Sequence, residues 1–182
     1  MSRIAVIVGS LRRESFNRRV AQAMTRLPAA QGHAFSWPEI GDIPLYSQDR
    51  EADPPPQMVR LKQEIRGVDA VMFVTPEYNR SIPGVLKNAL DTASRPYGDS
   101  AWKAKPAGIV SVSGGKPGAA MAQQHLRNVL AYLDMPTLNQ PEAFVQWTDE
   151  LVTPEGGIGE ASSDFLNGWM QAFAGWIARF AS

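Results

Sequence analysis

The sequence predicts an α/β domain on an open, doubly wound, five-stranded parallel sheet with helices on both faces, a three-layer α/β/α arrangement. Three observations predict it. Ile4–Val8, Ala70–Val74 and Ala107–Val112 are short, mainly apolar runs, as expected of strands covered on both faces. Segments of helical period separate them, one with apolar residues at 16, 20, 23, 24 and 27 and another at 58, 61 and 65. Strands and helices alternate along the chain, an order that right-handed crossovers convert into a parallel sheet.

Taken in order, Ile4–Val8 is the first strand and Gly9–Asn17 the loop after it, followed by a helix over 16–27 that Pro28 closes. Ala34–Trp37 reads as a short second strand stopped by Pro38, and Ile40–Pro56 as a long proline-rich loop. Pro54-Pro55-Pro56 introduces a helix over Gln57–Arg66, with Gly67 in the usual C-terminal position. Ala70–Val74 is the third strand, Thr75–Ile82 its loop, and Pro83 opens a helix to about Ala93. Ala107–Val112 leads through Ser113–Gly118 into a helix over Ala119–Leu133. A fifth strand is expected around Pro136–Leu138, then a loop over Gln140–Gly159 and a helix over Ser163–Phe180. In that helix Leu166, Trp169, Met170, Phe173, Ile177 and Phe180 form an apolar stripe suited to packing on the sheet.

A length of 182 residues suits one domain with a full core, and 44% apolar with 20% charged residues marks a globular chain. Basic and acidic residues balance at 18 each, so no net field draws the chain to nucleic acid or to an anionic membrane. Without cysteine, disulfides, thiolate catalysis and cysteine-ligated metals are excluded. No apolar stretch approaches the roughly 20 residues of a membrane span. Arg3 leads straight into a strand without a signal-peptide core. A cytoplasmic protein is the expectation.

In sheets of this kind ligands bind beyond the carboxyl ends of the strands, where the strand order reverses. Three loops leave those ends: Gly9–Asn17, Thr75–Ile82 and Ser113–Gly118. The first, Gly-Ser-Leu-Arg-Arg-Glu-Ser-Phe-Asn, combines hydroxyls, an amide and guanidinium groups with a helix N-terminus, a natural anion site. It lacks the second glycine and lysine of a P-loop, and Leu11 and Glu14 stand where a dinucleotide fingerprint needs glycine. Phosphate binding and a plain helix cap from Ser10 or Ser15 are both open on this stretch alone. Pro76–Asn79 is equally readable as an ordinary turn.

Together the loops are more distinctive. Gly9–Asn17 and Thr75-Pro-Glu-Tyr-Asn-Arg-Ser-Ile-Pro-Gly-Val-Leu-Lys-Asn-Ala-Leu-Asp91 resemble the NADPH-dependent FMN reductase family, the flavodoxin-like group that includes bacterial quinone and chromate reductases. The likeness takes in Gly41–Tyr46 and His125-Leu-Arg127 and weakens after about Phe144. It implies a flavodoxin-like fold. It further implies that Ser10, Arg12, Ser15, Phe16 and Asn17 surround the FMN phosphate. Pro76, Glu77, Tyr78 and Asn79 would run along the isoalloxazine with their backbone, and Ser113 and Gly114 would approach it from the third loop. Arg80, where relatives often carry an aromatic or small residue, would pair with the NADPH phosphate, shape the acceptor pocket or stay solvated. His33 and His125 are read as structural, and Tyr46, Trp102 and Trp147 as rim, interface or ordinary packing residues.

The activity implied is transfer of hydride from NADPH or NADH through bound FMN to a small-molecule acceptor such as a quinone, free flavin, an azo compound or chromate. No catalytic side chain and no metal is called for, because the flavin carries the chemistry. Relatives being dimers or tetramers, a homodimer or homotetramer is implied, although Gln123-Gln124 differs from some of them. A flavodoxin-type electron carrier without substrate turnover is the alternative, but such carriers are strongly acidic and this chain is neutral. A phosphate-binding module without flavin is a second alternative.

Overall fold

A computed structural model of the chain describes residues 1–180. The chain runs β1 (Arg3–Val8), α1 (Phe16–Met24), β2 (Ala34–Ser36), α2 (Pro56–Arg66), β3 (Ala70–Thr75), α3 (Gly84–Ala93), β4 (Ala107–Ser113), α4 (Ala120–Tyr132), β5 (Ala143–Gln146) and α5 (Glu160–Ala178). The strands form one sheet in the order β2-β1-β3-β4-β5, every neighbouring pair parallel. This is the flavodoxin-like order, and its reversal point lies between β1 and β3.

Alternation along the central strands divides the core. Ile4, Val6 and Val8 join Val20, Met24, Trp169 and Phe173 on the face that carries α1 and α5. Ala5 and Ile7 join Leu61, Leu86 and Leu126 on the face that carries α2, α3 and α4. Both faces of β1 and β3 are therefore covered, which is why their sequences read as unbroken apolar runs. Gly108 lets α5 lie close to β4: a Cβ there would stand 2.8 Å from the Phe173 ring and 2.9 Å from the Trp169 ring.

The fifth strand is not at Pro136–Leu138. Thr137 makes only an isolated bridge to Ala107, and Pro136 has no N–H to give a ladder. The carbonyl of Pro136 accepts both from the Ala107 N–H of β4 and from the Trp176 indole, each at 2.9 Å. The strand lies at Ala143–Gln146, inside the stretch read as loop, where Val110 to Ser113 pair with it. Ala143 and Val145 face inward and Phe144 and Gln146 outward, an alternation proper to an edge strand but only four residues long.

Two smaller points concern aromatic residues. Trp102 is fully buried, with its indole N–H on the Leu90 carbonyl at 3.0 Å, so of its possible roles ordinary core packing is the one that holds. Phe180 leaves the stripe of α5: it is 44% exposed and meets Trp176 edge-on at 5.1 Å. The helix itself begins at Glu160, three residues before Ser163.

Candidate functional site

The loops after β1, β3 and β4 emerge at the carboxyl edge, next to the reversal of strand order. Gly9 sets the closeness of the first two. Its N–H donates to the Val74 carbonyl at 2.9 Å, and a Cβ on it would stand 2.6 Å from the Thr75 hydroxyl oxygen. Only a residue without a side chain lets the first loop leave β1 pressed against the end of β3.

In that loop Ser15 is the N-cap of α1, with its hydroxyl oxygen accepting from the Arg18 N–H at 3.2 Å. The Ser10 hydroxyl oxygen accepts from the Arg12 N–H at 3.4 Å. Both serines are buried, and each hydroxyl keeps its own proton to donate. Phe16 and Asn17 supply the amides of the first helical turn, which precede the intrahelical ladder and lie at the positive end of the helix dipole. Arg12 is exposed and lies over the Phe16 ring, 5.0 Å from its centroid. Asn17 differs from the expectation that its side chain faces a phosphate: its amide donates inward to the Val112 carbonyl at 3.2 Å and ties α1 to the end of β4. What remains of Asn17 for an anion is its backbone N–H.

The second loop is a two-residue hairpin. Tyr78 and Ser81 exchange both backbone hydrogen bonds, at 2.9 and 3.0 Å, and the residues between them, Asn79 and Arg80, take φ of 52° and 66°. Left-handed backbone at both central positions defines the turn type that matches strand twist, so the ordinary-turn reading is correct as far as it goes. Tyr78, Asn79 and Arg80 are exposed, while Pro76 and Glu77 are half-buried. His125 bonds the Ser81 hydroxyl at 3.0 Å, the structural part expected of it.

Glu77 has a role that sequence reasoning missed. Its Oε2 accepts from the backbone N–H groups of Met121 and Ala122, both at 3.1 Å. Its Oε1 pairs with Arg80 at 3.1 Å. The second loop thus caps the first turn of α4 and is fastened to the third loop. That third loop begins with Ser113, whose hydroxyl donates to the Gly115 carbonyl at 3.2 Å. Gly114 is exposed, with no atom within 4 Å of where a Cβ would be.

A fourth segment belongs to the same edge. Beyond β5 the Trp147 N–H donates to the Ser113 carbonyl at 2.8 Å, and the indole stacks on Phe16 with centroids 4.2 Å apart. The sequence leaves Trp147 as a rim, interface or packing residue, and the stacking on Phe16 places it beside the first loop. Two cavities lie away from these loops, one of about 60 Å³ beside Tyr46, Met58 and Thr92, and an open cleft of about 730 Å³ walled by Arg95, Tyr97 and Tyr132. The loop edge carries hydroxyl, amide and guanidinium donors at the first loop and exposed residues, Tyr78, Asn79, Arg80 and Gly114, along the rest.

Comparison with known proteins agrees with that arrangement. The pattern of the family described as NADPH-dependent FMN reductase matches residues 2–149. A quinone reductase of Pseudomonas putida is 49% identical over 175 residues, covering 96% of this chain and 94% of that one. A 2-hydroxy-1,4-benzoquinone reductase of Burkholderia sp. is 47% identical over 176 residues, 96% of each chain. Among solved structures, FerB, the flavoenzyme NAD(P)H:(acceptor) oxidoreductase of Paracoccus denitrificans, superposes with a TM-score of 0.94 at 42% identity over 99% of both chains. By fold, by loop geometry and by near full-length similarity, this chain belongs to the NADPH-dependent FMN reductase family.

Proposed function

We propose that the protein is an NAD(P)H-dependent FMN oxidoreductase whose acceptors are quinones, with free flavin, azo compounds and chromate as further small oxidants of the same open site. The observation that carries this is the convergence of the loops at the reversal point of a family-typical sheet, with anion donors gathered in the first. The donor set fits a phosphate monoester: two hydroxyls, the first-turn amides of α1 and the Arg12 guanidinium, all in the loop Gly9–Asn17. Bound FMN would supply the electron relay between the pyridine coenzyme and the oxidant.

The chain's own residues bind and orient. Ser10, Arg12, Ser15, Phe16 and Asn17 hold the phosphate end, the last two through their backbone. The backbone of Pro76, Glu77, Tyr78 and Asn79, which leads into the Tyr78–Ser81 hairpin, would offer donors and acceptors to the polar edge of the ring. Ser113 and Gly114 leave the third side open enough for a ring to approach. Arg80, 73% exposed in its side chain and held on one flank by Glu77, meets the coenzyme phosphate or the acceptor. With one open platform, NADPH or NADH and the oxidant occupy the same place in turn, which gives ping-pong kinetics.

The proposed setting is the cytoplasm, and among the described residues no helix is long and apolar enough to cross a membrane. A homodimer or homotetramer is the proposed assembly, supported by Tyr97 and Tyr132, each more than four-fifths exposed beside the open cleft. Light scattering on the purified protein checks it.

The deciding experiment is anaerobic mixing of the FMN-loaded protein with NADPH. Bleaching of the flavin band, followed by recovery on addition of a benzoquinone, is expected. A carrier would bind FMN and stay yellow with NADPH. A protein that takes up no FMN at all would overturn the reading.

A further inference from the structure

Four side chains from two distant parts of the sequence form a ladder at the first loop. The Arg12 guanidinium lies 5.0 Å from the centroid of Phe16, Phe16 stacks on Trp147 at 4.2 Å with the ring planes 8° apart, and Arg19 lies 4.7 Å from the Trp147 centroid. Cation, ring, ring and cation are therefore joined by favourable contacts between charge and quadrupole. Among the described residues neither arginine forms an ion pair. A guanidinium resting on an aromatic face keeps its N–H edge free for an anion. The main chain that carries the indole is anchored, since the Trp147 backbone N–H donates to the Ser113 carbonyl in the third loop at 2.8 Å.

We propose that Trp147 is a positioning residue for phosphate recognition. By stacking on Phe16 it fixes the platform on which Arg12 lies, so that Arg12 is aimed before the cofactor arrives. The inference rests on the flavin reading above and adds a residue that acts on the phosphate end through Phe16 and Arg12. A free arginine surrenders rotamer entropy when it grips an anion, and that loss weakens binding. An arginine already laid on a ring has given up that freedom on folding. The ladder thus converts folding energy into affinity for the phosphate end alone.

That restriction to one end of the cofactor supplies the test. Riboflavin shares the ring system and ribityl chain of FMN and lacks the phosphate. Wild type, Trp147→Ala, Trp147→Phe, Arg12→Ala and the Arg12→Ala/Trp147→Ala double variant are titrated with each flavin. Trp147→Ala is expected to weaken FMN binding about tenfold and to change riboflavin binding less than about twofold. Trp147→Phe keeps a ring on Phe16 and returns FMN affinity to within about threefold of wild type. In the Arg12→Ala background the loss of Trp147 costs nothing further. Trp147→Leu keeps apolar bulk without a π face, and carries the same expectation should the alanine variant fail to fold. Equal weakening of both flavins, unchanged FMN affinity, or additive effects in the double variant would each overturn the proposal. Failure of the wild type to bind either flavin would overturn the flavin reading instead.

Discussion

Glu77 shows how much one side chain settles at the residue scale. Helix α4 starts after Ala119, which sits in the left-handed region at φ 63° and offers no capping side chain. The two amides of its first turn would be left without partners, and Glu77 reaches across from the neighbouring loop to accept from both. A carboxylate at the positive end of a helix dipole is stabilising as well as satisfying the donors. Glu77→Ala should therefore lower stability by about 1–2 kcal/mol in urea unfolding. It should also speed hydrogen exchange at the Met121 and Ala122 amides. Glu77→Gln retains one acceptor without the charge, and should fall between the two. The motif that contains Glu77 was visible in the sequence, and so was its place in the second loop. Its partner was not, because a cap supplied across space leaves no local spacing to read. Ser15 is the contrary case: an N-cap within its own helix, legible from Ser15 and the helix pattern that follows it. Asn17 was half legible, since its place in the loop followed from the motif but the inward turn of its amide depends on where β4 ends.

At the scale of elements, the central strands declared themselves and the edge did not. β1, β3 and β4 lie between two helical layers and have apolar side chains on both faces. Near-continuous apolar sequence follows from that burial. β5 has one neighbour and presents Phe144 and Gln146 outward, so its four residues resemble loop sequence. Pro136–Leu138 reads as the fifth strand in the sequence, yet its proline and its single bridge keep it out of the ladder. Trp147 is a rim candidate by sequence, but its stacking on Phe16 is not legible there, because that contact depends on where β5 ends. The pairing of β4 with α5 can be tested directly. A methyl group at Gly108 would enter between Phe173 and Trp169 at under 3 Å from either ring. Both rings are buried and already packed together at 5.3 Å, so neither has room to retreat. Gly108→Ala should destabilise the protein by about 1–3 kcal/mol. A second substitution that shortens Phe173 to Leu should recover part of that loss, and a denaturant titration of the two variants measures both effects.

Across the whole molecule, ion pairs link the sheet to its surrounding segments at the end opposite the loops and along the α2 side. Asp69 accepts from the Arg3 N–H at 2.7 Å and joins the beginnings of β1 and β3. Asp42 forms a two-pronged pair with Arg60 of α2, at 2.7 and 2.9 Å, and Asp99 binds both Lys62 and Arg66 of the same helix. Each of these carboxyls is held below the ordinary range. For Asp69 the main cause is the Arg3 backbone N–H, for Asp42 the hydrogen bonds from Arg60, and for Asp99 those from Lys62 and then Arg66. Glu64 departs the other way, raised by burial, so it favours the folded state when protonated and opposes the trend. A carboxyl whose pKa is depressed by folding contributes stability above its unfolded value, and that contribution disappears as the pH falls through the folded value. Three depressed groups against one raised group make acid the destabilising direction. Solvent screening keeps each contribution small, because these carboxylates are substantially exposed. Asp69→Asn removes one depressed group while leaving an oxygen to accept from Arg3. The variant should be less stable than wild type near neutral pH, and the gap should close as the pH falls below the ordinary aspartate value of 3.8 and through the lower folded value. Urea midpoints across that range provide the measurement. A gap that stayed constant down to the acid limit would mean that the Arg3–Asp69 link acts through shape alone, and that its charge has no part in holding the first two central strands together.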